Sequence, residues 1–298
     1  MRFLGMAALI GVCLAAAGGE CGAQGMEVLG VRAQGMGGAF VAVADDATAT
    51  YWNPAGLARG AIVSAVAEHN FHESELPDDG SATFVGLSLP PIGASYYRVR
   101  SAQLPPGAAD SFVTQNLGLT LVQSIGEHVD VAGTVRYVHG SAALGSGDVS
   151  TNTVDFDLGA IAHAGPLSVG LVARNLRRPS FDAPSHADAL TLDRHVRAGV
   201  AWQFSQSPTT LAVDVDLTKA SDAGLGDERH VAIGAEHHLL PRLTVRGGFR
   251  VDTVNDANPA GSAGASVAVT PSIWIDAQIT RGSRVADRSW GVSARFGF

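Results

Sequence analysis

The chain has 298 residues, 46% hydrophobic and 16% charged, with 36 glycines and a formal net charge of −8. Twenty basic against twenty-eight acidic residues leave no electrostatic footprint for nucleic acid, and apolar residues recurring along the whole length exclude a disordered chain. The one apolar run near the roughly 18 residues of a membrane-spanning helix lies at the extreme N-terminus, so a helical membrane protein is excluded as well.

That run reads as an export signal over residues 1–23. Arg2 supplies the positive start, Leu4 to Ala17 the apolar stretch, and Cys21-Gly22-Ala23 the small residues expected before cleavage. A lipoprotein signal fits less well, because Glu20 precedes Cys21 where a small residue is expected. Cleavage after Ala23 removes Cys13 and Cys21, the only two cysteines. The mature chain then has no thiol for a disulfide or a metal.

Residues 24–60 do not read as a strand. They open on glycines and small residues and close on Asn53-Pro54-Ala55-Gly56. From about residue 61 the chain alternates at period two. Fourteen segments follow, near 61–71, 82–89, 91–100, 112–124, 127–139, 151–163, 166–175, 193–204, 208–219, 228–239, 242–252, 261–270, 272–282 and 288–298. The last is the clearest. Trp290, Val292, Ala294, Phe296 and Phe298 share one face, and Ser289, Gly291, Ser293, Arg295 and Gly297 the other. A typical length near ten residues suits a tilted strand crossing a bilayer, which needs about 9–11.

The connections alternate short and long. Tight turns fall at Pro90-Pro91, Ile125-Gly126-Glu127, Ala164-Gly165-Pro166, Ser205–Ser207, Leu240-Pro241 and Thr270-Pro271. Longer loops lie between them, at 72–80, 101–111, 140–150, 176–192, 220–227, 253–260 and 283–287. That rhythm is expected of a transmembrane β-barrel with periplasmic turns and extracellular loops. On this topology Tyr137 and Trp290 sit at extracellular strand ends, and Trp202, Phe204, Phe296 and Phe298 at periplasmic ends. Two aromatic girdles result. A secreted sandwich or propeller also alternates, but accounts for neither the rhythm nor the girdles. The fold class expected is all-β: a transmembrane antiparallel barrel of about 14 strands over 61–298, its backbone edges removed by closure.

The stretch from Gly30-Val31-Arg32-Ala33-Gln34-Gly35-Met36-Gly37-Gly38-Ala39-Phe40 through Tyr51-Trp52-Asn53-Pro54-Ala55-Gly56-Leu57 resembles the N-terminal segment of FadL-like outer-membrane transport proteins, and equally their PorV/PorQ-like branch. In that family the segment folds back as a hatch inside a fourteen-stranded barrel. The resemblance therefore implies a hatch or plug over 24–60, with Asn53, Pro54 and Ala55 carrying its motif and Gly35, Gly37 and Gly38 allowing close packing. Physical size agrees, since about eight strands already leave a barrel interior only just filled. The terminal Phe298 resembles the signal read by the barrel assembly machinery.

Alternation places Asp130, Arg136, Asp155, Asp157, Arg174, Arg197, Asp214, Asp216, Arg246, Arg250, Asp276 and Arg295 on the lumen side. Such a wall can be a set of mutually paired charges, or some of its arginines, such as Arg246 and Arg250, can hold a substrate carboxylate. Trp274 points inward between Ile273 and Ile275, where an aromatic could meet the hatch or a ligand. Other chemistry finds little support. His237 and His238 point to opposite faces of a strand, so with His69 and His72 they make no metal site. No nucleophile elbow marks a hydrolase, and no lysine follows Gly35-Met36-Gly37-Gly38 at phosphate-loop spacing.

The expectation is thus a non-enzymatic outer-membrane channel for small hydrophobic molecules, plug-gated, with membrane lipid as its partner and no cofactor. An alternative reading is a PorV-like protein that binds secreted proteins or membrane partners, and a third is a passive pore. Fatty-acid transporters of the family carry helical loop insertions that form a first binding groove. The longest loop here, of about seventeen residues near 176–192, leaves no room for it, which counts against long-chain fatty acids.

Overall fold

A computed structural model describes residues 28–74, 79–101, 111–143, 149–181, 190–222, 226–254 and 257–298. The expected signal, 1–23, lies outside these residues. Where the sequence alternates, strands form: β1 (Ser64–His72), β2 (Gly80–Leu89), β3 (Ile92–Ser101), β4 (Ser111–Ile125), β5 (Val129–Ala143), β6 (Val149–Ala164) and β7 (Leu167–Arg174). A two-stranded ladder of β8 (Ser180–Phe181) with β9 (Leu190–Thr191) stands apart. Then come β10 (His195–Gln203) and β11 (Thr209–Asp216), and a second small ladder of β12 (Ala220–Asp222) with β13 (Gly226–Glu228). The chain ends in β14 (His230–Leu240), β15 (Leu243–Asp252), β16 (Ala260–Thr270), β17 (Ile273–Gly282) and β18 (Ser289–Gly297).

Apart from the two small ladders, the fourteen strands close into one antiparallel barrel, each beside its neighbour in sequence. β1 pairs with β18 from Ser64 opposite Gly297 to His72 opposite Ser289. Val63 and Phe298 extend that seam by exchanging two backbone hydrogen bonds, both 3.1 Å. The fourteen expected strands therefore all form, in the expected order. Their ends differ most in β5, which continues to Ala143. Beyond the apolar band the alternation fades while the ladder goes on. The short ladders inside the expected loops 176–192 and 220–227 also lacked any pattern to announce them.

The faces follow the alternation. On β4, Leu117, Leu119 and Leu121 point outward and are more than half exposed, whereas Phe112, Thr114, Asn116, Thr120 and Val122 are buried. Tyr137, Trp290, Trp202, Phe204, Phe296 and Phe298 all lie exposed on the outer face. The tight turns at Gly126 and Gly165 hold φ of +66° and +62° with open space where a Cβ would point, a conformation that glycine adopts without strain. At the inner face polar and charged side chains predominate, and most are buried.

Residues 28–60 contribute two short helices, α1 (Val31–Gly35) and α2 (Ala49–Trp52), and a 3₁₀ turn at Pro54–Arg59. All but Val28, Val43, Asp45, Ala58, Arg59 and Gly60 of this segment are buried. Its apolar residues, among them Leu29, Met36, Phe40, Trp52 and Leu57, form one cluster with inward residues of the strands.

Candidate functional site

The interface between residues 28–60 and the inner wall is assembled from three kinds of contact. The first is a carboxylate on the wall that accepts consecutive backbone N–H groups. Glu68 of β1 accepts from Gly30 at 2.5 Å and Val31 at 2.9 Å. Asp214 of β11 accepts from Phe40 and Val41, both at 2.8 Å. Hydrogen bonds to charged groups contribute about 1.5–3 kcal/mol each, so these two carboxylates are the principal polar anchors.

The second is side-chain pairing. Arg32 reaches Glu236 of β14 through Nε at 2.9 Å and Nη2 at 2.8 Å, a bidentate arrangement. The same guanidinium meets Asp45 and Asp46 within its own segment. Burial opposes the charge on Arg32, but Asp45 and Glu236 more than offset it and raise its pKa well above the ordinary arginine value. Arg59 closes the segment on Asp130 of β5 at 2.7 Å. Gln34 bonds Asn70, Gln278 and Ser289 at 2.9–3.2 Å. The Arg174 guanidinium lies 3.7 Å from the centre of the Tyr51 ring, in the range of a cation–π contact.

The third is close approach of backbones at inward glycines. A Cβ on Gly170 of β7 would come within 2.6 Å of the Val41 carbonyl oxygen, 3.0 Å of its carbon and 3.1 Å of the Ala42 Cα. On Gly159 of β6 it would collide with Asn53 and lie 2.8 Å from Pro54 Cδ. Gly248 of β15 and Gly234 of β14 are crowded in the same way by Met36.

The expected motif residues fall on this interface. Asn53 is fully buried. Its Nδ2 donates to the carbonyls of Val41 at 2.9 Å and Ala160 at 3.2 Å, and its Oδ1 accepts from Ala55 N at 3.2 Å. It caps the 3₁₀ turn that Pro54 begins and ties that turn to β6. Gly35 lies against Gly264 of β16 at 3.3 Å, and Gly37, at φ +69°, against Phe249 N at 2.6 Å, both measured to a would-be Cβ. Gly38, at φ +87°, returns its N–H to Ala33 O at 3.0 Å.

Against solved structures this arrangement matches the Pseudomonas putida toluene transporter TodX with a TM-score of 0.70 at 12% identity, over 92% of this chain and 99% of that one. The chain has the FadL-type barrel fold. The Ralstonia pickettii toluene transporter TbuX matches at 0.67 and 12% identity, covering 92% of this chain and 99% of that one. A Pseudomonas aeruginosa FadL homologue matches at 0.64 and 13%, covering 90% and 98%. A family profile described as "F plasmid transfer operon, TraF, protein" matches residues 134–216, less than a third of the chain, from within β5 to the end of β11. Comparison with curated protein sequences gives no match.

Within this FadL-type barrel, three cavities of about 220, 290 and 390 Å³ surround the tip of the segment at the short-turn end. Asp45 borders all three. Trp274 and Arg295 border the first and third, Arg59 the second and third, and Gln203 and Thr210 the first and second. The cavities thus lie around residues 42–46 as neighbouring parts of one moat. Trp274 points inward as its neighbours' alternation implies, with the Arg295 guanidinium 5.6 Å from its ring centre. Arg246 also borders the smallest cavity, while its Nε is 2.5 Å from Glu236 and its Nη1 3.6 Å from Asp276. Arg250 lies at the opposite, long-loop end, 3.2 Å from Asp287. The three side chains singled out for ligand contact are therefore not one constellation.

His237 and His238 pair with different strands, through Thr209 and Thr244, each at 2.8 Å. Among the described residues no group of His, Cys, Asp and Glu has metal-binding geometry. Sequence reasoning missed Glu68 and Glu236 as anchors. Their parity on the strand was available, but neither acceptance of backbone N–H groups by Glu68 nor pairing of Glu236 with an arginine 204 positions away has a sequence signature.

Proposed function

We propose that the protein is an outer-membrane channel for small hydrophobic molecules, closed by residues 24–60 acting as a hatch. The observation that carries this reading is likeness along nearly the whole chain to two proteins described as toluene transporters. The outward apolar band with aromatics at both ends suits a lipid surround, with short turns on the periplasmic side and long loops outside. The signal at 1–23 brings the chain to that membrane, and Phe298 at the closing seam is the contact for the barrel assembly machinery. A fourteen-stranded lumen needs a filling element, and residues 28–60 bring both an apolar cluster and matched polar anchors to the inner wall. In this reading Asn53, Pro54 and Ala55 end the hatch against β6, while Gly35, Gly37 and Gly38 let it lie flat on β15 and β16.

The wall charges act mainly on one another and on the hatch: Arg136 is 2.5 Å from Asp155 and Arg197 2.5 Å from Asp216. Arg246 and Trp274 then border the periplasmic exit instead of reading a carboxylate, and short loops favour ligands the size of a single aromatic ring over long acyl chains. The test is uptake of labelled toluene and of labelled palmitate into proteoliposomes. Toluene entry faster than in protein-free vesicles, with palmitate near background, is the expected result. No uptake of either, together with a protein that co-purifies stoichiometrically, would overturn the channel in favour of a PorV-like interaction role.

A further inference from the structure

We propose that the inner wall at the long-loop end carries an entry site for a single apolar aromatic ring, and that Phe181 occupies this site until a ligand takes its place. The inference rests on the channel reading above and names a place along that path where the ligand is held.

After β7 the chain turns inward. Asn175 and Arg178 adopt left-handed conformations, with φ of +54° and +52°, so the chain leaves the wall while β6 runs on beside β5 to Val149. Wall side chains take hold of the turned segment. Asp157 accepts the Asn175 N–H at 2.9 Å and Asp155 that of Arg177 at 3.0 Å. Arg136 donates to Asn175 Oδ1 at 2.5 Å. Wall carboxylates thus fix this base by its backbone, as Glu68 and Asp214 fix the hatch.

The anchored base delivers Phe181 to the inner wall. A Cβ on Gly140 of β5 would collide with Cδ1 and Cε1 of the Phe181 ring and lie 3.0 Å from its Cγ. Phe112 of β4 meets the same ring edge-on, with centroids 5.4 Å apart at 61°, a favoured arrangement. Val138 and Ala142, the inward residues on either side of Gly140, are apolar and buried, on a wall where polar side chains predominate. Phe181 itself is 3% exposed although it comes from a long loop. The bare glycine leaves a slot one ring thick, and the Phe112 ring closes one side of it.

The side chain of phenylalanine is toluene less one methyl hydrogen. The seat therefore has the shape of a toluene-sized molecule, and the chain presents its own copy at high effective concentration. Its hold is light. Residues 180 and 181 pair with 191 and 190 in the short β8–β9 ladder, and Leu192 donates to Pro179 O at 2.8 Å. A segment with few bonds to the rest of the structure opens at low free energy, so Phe181 can vacate the seat while the base stays on Asp155 and Asp157. A site free for only a fraction of the time binds its ligand more weakly by that fraction. Occupation for about nine-tenths of the time weakens binding about tenfold.

The test places para-fluorophenylalanine at position 181 of the detergent-solubilised full chain, adds toluene and follows the label by fluorine NMR. The same label at position 204, exposed on the outer wall, reports simple partitioning of toluene into detergent. The expected result is a saturable move of the 181 resonance from its buried position to that of an exposed ring, while the 204 resonance drifts without saturating. Phe181→Ala, read through a label at position 112, should bind toluene about tenfold more tightly, because no side chain has to leave. Gly140→Ala should abolish the saturable response. A 181 resonance that stays put, or drifts only as the 204 resonance does, overturns the proposal without any variant having to fold. So does a saturable response that survives Gly140→Ala. Toluene uptake into proteoliposomes with Phe181 seated throughout sinks only this inference. Displacement of Phe181 without uptake leaves the seat standing and sinks the channel reading.

Discussion

Substitution of Gly170 by valine tests whether contact between the hatch and the wall is what closes the lumen. Gly170 faces inward on β7, and a Cβ there would lie 2.6 Å from the Val41 carbonyl oxygen, against the 3.4 Å at which ordinary contact begins. The nearby atoms are all backbone of residues 41 and 42, so no rotamer change relieves the clash. Val41 must retreat by about 0.8 Å, which carries its N–H from 2.8 Å to as much as about 3.6 Å from Asp214, beyond hydrogen-bond range. Losing that bond costs about 1.5–3 kcal/mol, and overpacking adds about 1–3 kcal/mol. Even about 3 kcal/mol raises the population of a displaced hatch more than 100-fold. Gly247→Val is the control. It places the same side chain on the outward face of β15, where the nearest atom to a Cβ is Ser262 O at 3.9 Å. Planar-bilayer recordings should show frequent openings for Gly170→Val, fewer for Gly170→Ala, and none above the parent for Gly247→Val. A heat-modifiable, fully folded Gly170→Val barrel that stays as silent as Gly247→Val would refute the reasoning.

Asp214→Ala removes the acceptor for both Phe40 and Val41 N–H, and should speed amide exchange at those two positions roughly 10- to 100-fold while β11 amides keep their protection, the cost being about 1.5–3 kcal/mol. Arg32→Gln leaves Glu236 with Arg246 alone and should lower stability by up to about 3 kcal/mol, measurable as a lower thermal midpoint. The double variant R32M/E236L should recover little of that loss, because it strands two other buried charges, Asp46 without Arg32 and Arg246 without Glu236. In the unmodified protein, amides of residues 42–46 should exchange faster than those of 30–41, and equal protection across both stretches would contradict the division of the hatch argued below.

The barrel was legible because a strand in lipid has to show its period. Leu117, Leu119 and Leu121 could stand on the outer face only if Asn116, Gly118 and Thr120 stood on the inner one. Tight turns were legible through Gly126 and Gly165, and the break at Asn53-Pro54 through residues that cannot continue a ladder. The hatch interface was not, for a physical reason. Its anchors use generic groups, a backbone N–H at Val31 or Val41 and a carboxylate at Glu68 or Asp214, and nothing in the order of residues says which carboxylate meets which amide 37 or 173 positions away. Gly170 illustrates the same limit. Alternation puts it on the inner face, but only the three-dimensional fit reveals that a backbone lies against it. Arg246 and Arg250 were alike in sequence, two inward arginines four positions apart on β15. They separate in space because one meets Glu236 and Asp276 within the barrel wall and the other meets Asp287 beside the loops.

The distribution of these anchors bears on how such a lumen could open. Residues 30–41 are held to the wall by Glu68, Glu236 and Asp214, and residues 47–59 by Ser64, Ala160 and Asp130. Between them, the hydrogen bonds of residues 42–46 stay within the segment: Val43 and Ala44 donate to Phe40 O, while Asp45 and Asp46 meet Arg32. This tip is also the part surrounded by cavities. Moving the whole hatch would strip two wall carboxylates of four backbone donors and hydrate a large apolar cluster. Moving the tip alone breaks the clasp at Arg32 and leaves those anchors in place. Because regions with few bonds to the rest of the structure open at low free energy, the tip is the element that should yield first. Arg32, bonded at once to the wall and to the tip, is the side chain through which the two ends of that motion are coupled.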